Sequence, residues 1–257
     1  MRAVAWFWAV VLLLAAGAAG MLAWLGPPAP RSGPGAVAAA VVPGLPAAQG
    51  PRIAVLVAGI GMIAADSQGA IAALPAAVSL AVSPYAPDPA GTAKAARDAG
   101  HEVLLSLPMQ PGGGAAADAG NEALTNGQDP SVTAARLAWA LGRVPGPAGA
   151  TDLLGPGLDG AAFAGSPSLV AVTDTLAARH LFFLDARRVT MLDAPATTPS
   201  QALDALVAEA RRRGGAVGAI AAPAPDLVAA LTKLLPGLTA AGVRLVPVGQ
   251  IMTPSQQ

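Results

Sequence analysis

Asp152, Asp185 and Asp193 are carboxylates that follow apolar runs in this 257-residue chain, and Arg187 stands two residues beyond Asp185. Carboxylates brought to one rim suit two kinds of chemistry. They can coordinate a hard cation such as Mg²⁺ or Ca²⁺ through oxygen, or they can flank a glycosidic bond as an acid–base or acid–nucleophile pair. The alternative for Asp185 is a strand-end carboxylate bonded to Arg187 or to nearby backbone. Composition closes other routes. With no cysteine there is neither a disulfide framework nor a thiolate ligand or nucleophile, and two histidines cannot build an all-histidine zinc site. His101 and His180 each precede an apolar run, so both belong to amino ends of strands, where they close helix ends or face solvent. Beyond residue 50 the chain keeps 13 basic and 15 acidic side chains, which leaves no basic footprint for nucleic acid.

The elements that must carry these groups alternate. Apolar runs at 53–57, 78–82, 103–107, 181–184, 216–220 and 243–246 read as strands buried on both faces. Between them, 67–74, 90–99, 131–141, 168–179, 200–213 and 226–241 show helical spacing, several opened by Ser or Asp. Strand alternating with helix predicts parallel strands joined by right-handed crossovers, with function at the carboxyl ends of the strands. Ser83, Tyr85, Gln110, Thr151, Asp152, Asp185, Arg187, Asp193 and the uncharged Ala221-Ala222-Pro223 fall there. Gly59-Ile60-Gly61-Met62-Ile63-Ala64 has the form of a dinucleotide-binding turn, but the second strand ends at Val82-Ser83-Pro84 without the ribose-binding carboxylate. Its glycines also suit a tight turn and close helix packing. The glycine-rich segment from Gly112 to Gly127 reads as a loop over the rim, and Arg211-Arg212-Arg213 before Gly214 reads as a helix C-terminus.

Residues 1–26 read as a transmembrane signal anchor. No charge occurs between Ala3 and Ala29, Trp6, Trp8 and Trp24 flank the apolar stretch, and Arg2 places its start on the cytoplasmic side. Ala18-Ala19-Gly20 leaves open a cleaved signal peptide. Residues 27–51, with seven prolines, read as a linker; 52–252 form the domain and 253–257 a tail.

A wider resemblance joins these pieces. The segments Ile53 to Gly61, Ala73-Leu74-Pro75, Ser83 to Pro87 and Ala99 to Leu105 resemble, in order, the divergent polysaccharide deacetylase family. So do Leu107 to Pro111, Trp139-Ala140-Leu141, Leu181 to Asp185, Arg211 to Gly214 and Gly242 to Val248. The resemblance implies an α/β fold: a deformed or incomplete parallel β/α barrel of the glycoside hydrolase/deacetylase type. It also implies a carbohydrate substrate and a divalent metal such as zinc, held by an aspartate and histidines beside a second aspartate acting as base. Those positions depart here. The family's Asp-Asp-Leu-Gly becomes Ala58-Gly59-Ile60-Gly61, and its Asn-Asn-His-Met-Gly becomes Thr151-Asp152-Leu153-Leu154-Gly155. Its Gly-His-Pro becomes Ala221-Ala222-Pro223, and its Pro-Met-Glu-Pro becomes Pro108-Met109-Gln110-Pro111. Between Arg187 and Val189 about one helix and its connections are missing.

The expectation is therefore an inner-membrane, single-pass protein with its domain on the periplasmic or extracytoplasmic side. It would hold no metal or other cofactor and act by binding a cell-envelope polysaccharide or an envelope protein. Asp152, Asp185 and Arg187 are the residual site candidates. The alternative is an active carbohydrate deacetylase or hydrolase with a rearranged carboxylate site. Tyr85, Trp139, Phe163, Phe182 and Phe183 are the only aromatics beyond the anchor, too few for a strong sugar-stacking platform.

Overall fold

The computed structural model describes residues 50–113 and 117–252. The predicted anchor, all but the last two residues of the linker, and the tail lie outside the described residues. Among the described residues no helix is long and apolar enough to cross a membrane.

The parallel strands are β1 (Arg52–Ile60), β2 (Ser79–Val82), β3 (Val103–Ser106) and β4 (Gly149–Thr151). A small antiparallel pair follows, β5 (Leu153–Gly155) with β6 (Leu158–Asp159), then β7 (Phe182–Leu184), β8 (Thr190–Met191), β9 (Gly215–Ile220) and β10 (Arg244–Leu245). The helices are α1 (Ala64–Ala73), α2 (Pro89–Asp98), α3 (Pro130–Arg143), α4 (Ala161–Ala164), α5 (Ser168–Ala177), α6 (Pro199–Arg213), α7 (Pro225–Leu234), α8 (Gly237–Ala240) and α9 (Gly249–Met252). The main sheet runs β7-β4-β3-β2-β1-β9-β8, every pairing parallel, with β10 beside the first residues of β1.

Chain length forces this sheet to curl. β7 and β8 occupy opposite ends of the strand order, yet only residues 185–189 separate them. Six residue steps from Leu184 to Thr190 reach at most ~22 Å, whereas seven flat strands ~4.8 Å apart would set the edges ~29 Å apart. The result is a curled, incomplete barrel, open between β7 and β8 and bridged by a 3₁₀ turn at Ala186–Arg188. The expected parallel α/β barrel is observed as a curled half-barrel, and its opening lies at Arg187–Val189, where the resemblance implies a missing helix and its connections.

Alternation along the strands supplies two apolar layers. Ile53, Val55 and Val57 of β1 join the cluster under the surrounding helices, while Ala54, Leu56 and Ala58 face the barrel interior with Ala81, Leu104, Leu184, Val217 and Ala219. Many interior residues are small, as a tightly curled sheet requires. At the amino mouth, Val248 N–H donates to Ser79 Oγ at 2.9 Å, and the Ser79 hydroxyl donates to Glu102 Oε2 at 2.7 Å. Gly249 N–H reaches both Glu102 carboxylate oxygens at 3.1 Å, so α9 is clasped across that opening, with Ile251 and Met252 packed on the interior layer. The unit from Gln49 onward thus carries its own sheet and core.

Several expected elements differ in detail. The single helix expected over 226–241 is divided into α7 and α8 at Leu235-Pro236, because proline lacks the N–H that would continue the helix. The helix expected from Ser67 starts at Ala64, and Ser67 is a buried staple instead of a cap. His101 closes the end of α2, in line with one of its two expected roles, its N–H donating to Ala96 O at 3.0 Å, but its ring is buried and not at the surface, with Nδ1 2.8 Å from Val78 O and Nε2 3.1 Å from Ile71 O. His180 closes α5 with a left-handed backbone, φ 60°. Arg211-Arg212-Arg213 ends α6 and Gly214 follows at φ 81°, as read from sequence.

Candidate functional site

Four strand ends and one hairpin build the carboxyl mouth of the barrel. β1 leaves through Gly59 at φ 69° and Gly61 at φ 95°. A Cβ on Gly59 would lie 3.2 Å from Ala221 O, and one on Gly61 only 2.7 Å from Ala86 Cβ, so this turn needs glycine for both conformation and room. Gly61 N–H donates to Ser67 Oγ at 2.8 Å, and the Ser67 hydroxyl donates to Ile63 O at 2.7 Å, which ties the turn to α1. The glycine pair of the dinucleotide-like motif thus has a structural task.

β2 delivers Ser83 and Tyr85. Tyr85 N–H donates to Ser83 Oγ at 3.3 Å, and the Tyr85 hydroxyl oxygen accepts from Glu122 N–H at 3.1 Å. Its ring tilts against Trp139 with centroids 5.4 Å apart, and burial pushes its phenol pKa up. Gly120, at φ 87°, lets the loop descend onto that ring, since a Cβ there would meet Tyr85 Oη at 2.6 Å. Gln110 Oε1 accepts from Asn126 N–H at 2.8 Å and so holds the other limb of the same loop.

These walls enclose a cavity of about 550 Å³. It is lined by Gly59, Met62, Ile63 and Asp66 after β1, Ser83 and Tyr85 after β2, and Asp118, Ala119 and Gly120 from the loop. Leu154, Gly155, Pro156 and Leu158 of the β5–β6 hairpin and Ala221 to Ala224 after β9 complete it. Ser83, Tyr85 and Ala221-Ala222-Pro223 were legible as strand-end residues. Met62 and Ile63 belong to the glycine turn and Asp118 to the loop read as lying over the rim, whereas Asp66 and the hairpin were not legible, although Pro156-Gly157 is a turn signal that marks the hairpin.

The carboxylates picked from sequence lie elsewhere. Asp152 is fully buried; its Oδ1 accepts from Ala186 N–H at 2.7 Å, while Oδ2 has no partner. Burial pushes this carboxyl up to about 6, with the neighbouring Asp185 charge a smaller contribution. Asp185 takes the reverse course. Its Oδ1 accepts from Arg187 N–H at 2.9 Å and Nε–H at 3.0 Å, and its Oδ2 accepts from the guanidinium at 2.6 Å. Those bonds hold it below the usual carboxylate range. Arg187 also donates to Ala164 O at 3.2 Å, pinning the bridging turn to α4. Asp193 Oδ2 accepts from Ala221 N–H at 2.8 Å. None of Asp152, Asp185, Arg187 and Asp193 borders the mouth cavity. Asp152 and Asp185 meet around the bridging turn, but the gathering of three carboxylates does not occur: among the described residues no three His, Cys, Asp or Glu side chains form a group that could hold a metal ion.

The positions that the resemblance assigns to metal ligands and base carry no donor side chain. Ala58 and Leu153 are buried in the interior layer, Gly59 forms the cavity edge, and Ala222 lines its wall. A zinc ion requires nitrogen, oxygen or sulfur ligands, so these residues do not fit one.

The family model described as divergent polysaccharide deacetylase matches residues 55–198, from β1 to the cap of α6. The crystal structure of an uncharacterized protein from Agrobacterium tumefaciens C58 is similar, with a TM-score of 0.71 and 28% identity over 79% of this chain and 89% of that one. No curated protein matches the chain. With more than half of its length inside the family model and the fold shared with that neighbour, the chain belongs to the divergent polysaccharide deacetylase family.

Proposed function

We propose that this member of the family is a binding protein that no longer deacetylates, held in the inner membrane by its N-terminal segment with the barrel on the periplasmic side. Its partner is a component of the cell envelope, a glycan conjugate or a protein, received at the carboxyl mouth. One observation carries the reading: the mouth is a largely apolar cavity, with Gly59 and Ala222 on its wall and Ala58 and Leu153 buried behind it at the positions where the resemblance calls for metal ligands and a base. The test is acetate release from N-acetylglucosamine oligomers in the presence of added Zn²⁺ or Mn²⁺. No release above the blank agrees with the reading; turnover that chelator abolishes contradicts it.

A second reading, a hydrolase built on carboxylates, is favoured by one feature. Asp152 and Asp185 are neighbours whose surroundings drive their acidities in opposite directions, the pattern of an acid and an ionised partner. Their setting opposes it. Asp152 is sealed from solvent beneath the bridging turn, and Asp185 is engaged by Arg187. Loss of any acetyl-releasing activity in Asp152→Asn would support this second reading.

A further inference from the structure

The barrel mouth also specifies what kind of group it can hold, an inference that rests on reading it as a binding cavity. We propose that it takes the alkyl or acyl chain of an amphiphile whose head is cationic or neutral. Met62, Ile63, Leu154, Pro156, Leu158 and Pro223 supply the wall. Met62 and Ile63 stand at the lip 53% and 60% exposed, large apolar side chains left in water where a chain entering the cavity would cover them. The volume of about 550 Å³ lies within the range of small-molecule sites.

A sugar ring is disfavoured by the same wall. Each saccharide hydroxyl taken from water needs a partner, and beside Asp66 and Asp118 the lining offers only the Ser83 and Tyr85 hydroxyls, each with one acceptor site already used by a backbone N–H. The Tyr85 ring packs against Trp139 and lies under Gly120, so it offers no open stacking platform. Charge selects the head group. Asp66 and Asp118 border the cavity, and among the described residues no lysine or arginine lines it, so the field at the entrance favours a cation and repels a carboxylate or phosphate.

Calorimetric titration of a protein spanning residues 49–257 with decyltrimethylammonium, decanoate and tetra-N-acetylchitotetraose, the amphiphiles below micelle formation, tests this. The cation should bind at one site at least about ten-fold more tightly than decanoate, and the tetrasaccharide should give no heat of binding. Ala222→Leu, which fills the wall, should weaken the cation about ten-fold. Combining Asp66→Asn with Asp118→Asn keeps the loop acceptor used by Gly120 N–H and should bring the two amphiphiles within about three-fold of each other. Equal or tighter binding of decanoate by the unaltered protein, or indifference of the cation to Ala222→Leu, overturns the proposal. Binding of the tetrasaccharide alone overturns it while leaving the binding reading intact, whereas metal-dependent acetate release overturns both.

Discussion

Asp152 shows how a single buried carboxyl records its surroundings. Burial raises its pKa from an ordinary value near 4 to about 6, so ionisation opposes the fold. Stability from this group is complete below the unfolded pKa and is lost as pH rises from about 4 through about 6. Asp152→Asn keeps an oxygen to accept from Ala186 N–H and cannot ionise. Urea unfolding should therefore show the variant gaining on the parent by up to ~3 kcal/mol between pH 4 and pH 7. A constant difference across that range would contradict this environment. Arg187→Ala should lower stability only by the small amount of a solvent-screened ion pair in the same assay, because the guanidinium is half-exposed. A loss several times larger would mean that the bridging turn depends on the Ala164 tether.

At the level of elements, the turn after β1 makes the sharpest prediction. Gly61→Ala combines a left-handed backbone with a Cβ 2.7 Å from Ala86 Cβ, and should lower stability by ~2 kcal/mol in urea unfolding. An unchanged midpoint would show that the turn relaxes freely. The long strands and most helices were legible because strands buried on both faces read as continuous apolar runs and helices keep their period. β4, β5, β6 and β8 were not, since their two or three residues stand among glycine and polar residues outside any continuous apolar run. The split between α7 and α8 was signalled by Pro236, which the apolar spacing on either side outweighed. The cavity itself was hidden for another reason: its wall comes from Gly, Ala and Pro backbone and from residues of separate loops that only the curled sheet brings together. Residue type pointed to Asp152, Asp185, Arg187 and Asp193, yet each meets backbone or another side chain around the bridging turn or the end of β9.

For the whole molecule, the short link between β7 and β8 explains why the barrel is curled yet open, and α9 clasped by Ser79 and Glu102 explains how its amino mouth is shut. The proposed function assigns binding to the carboxyl mouth, with an apolar wall in place of a metal centre. Its most direct test is to load the protein spanning residues 49–257 with Zn²⁺, Mn²⁺ and Mg²⁺ separately, desalt it, and measure metal per chain by mass spectrometry. The predicted result is far less than one equivalent of each, in the parent and in Asp152→Asn alike. About one tightly held equivalent, lost in Asp152→Asn, would contradict the account and return this chain to the hydrolases.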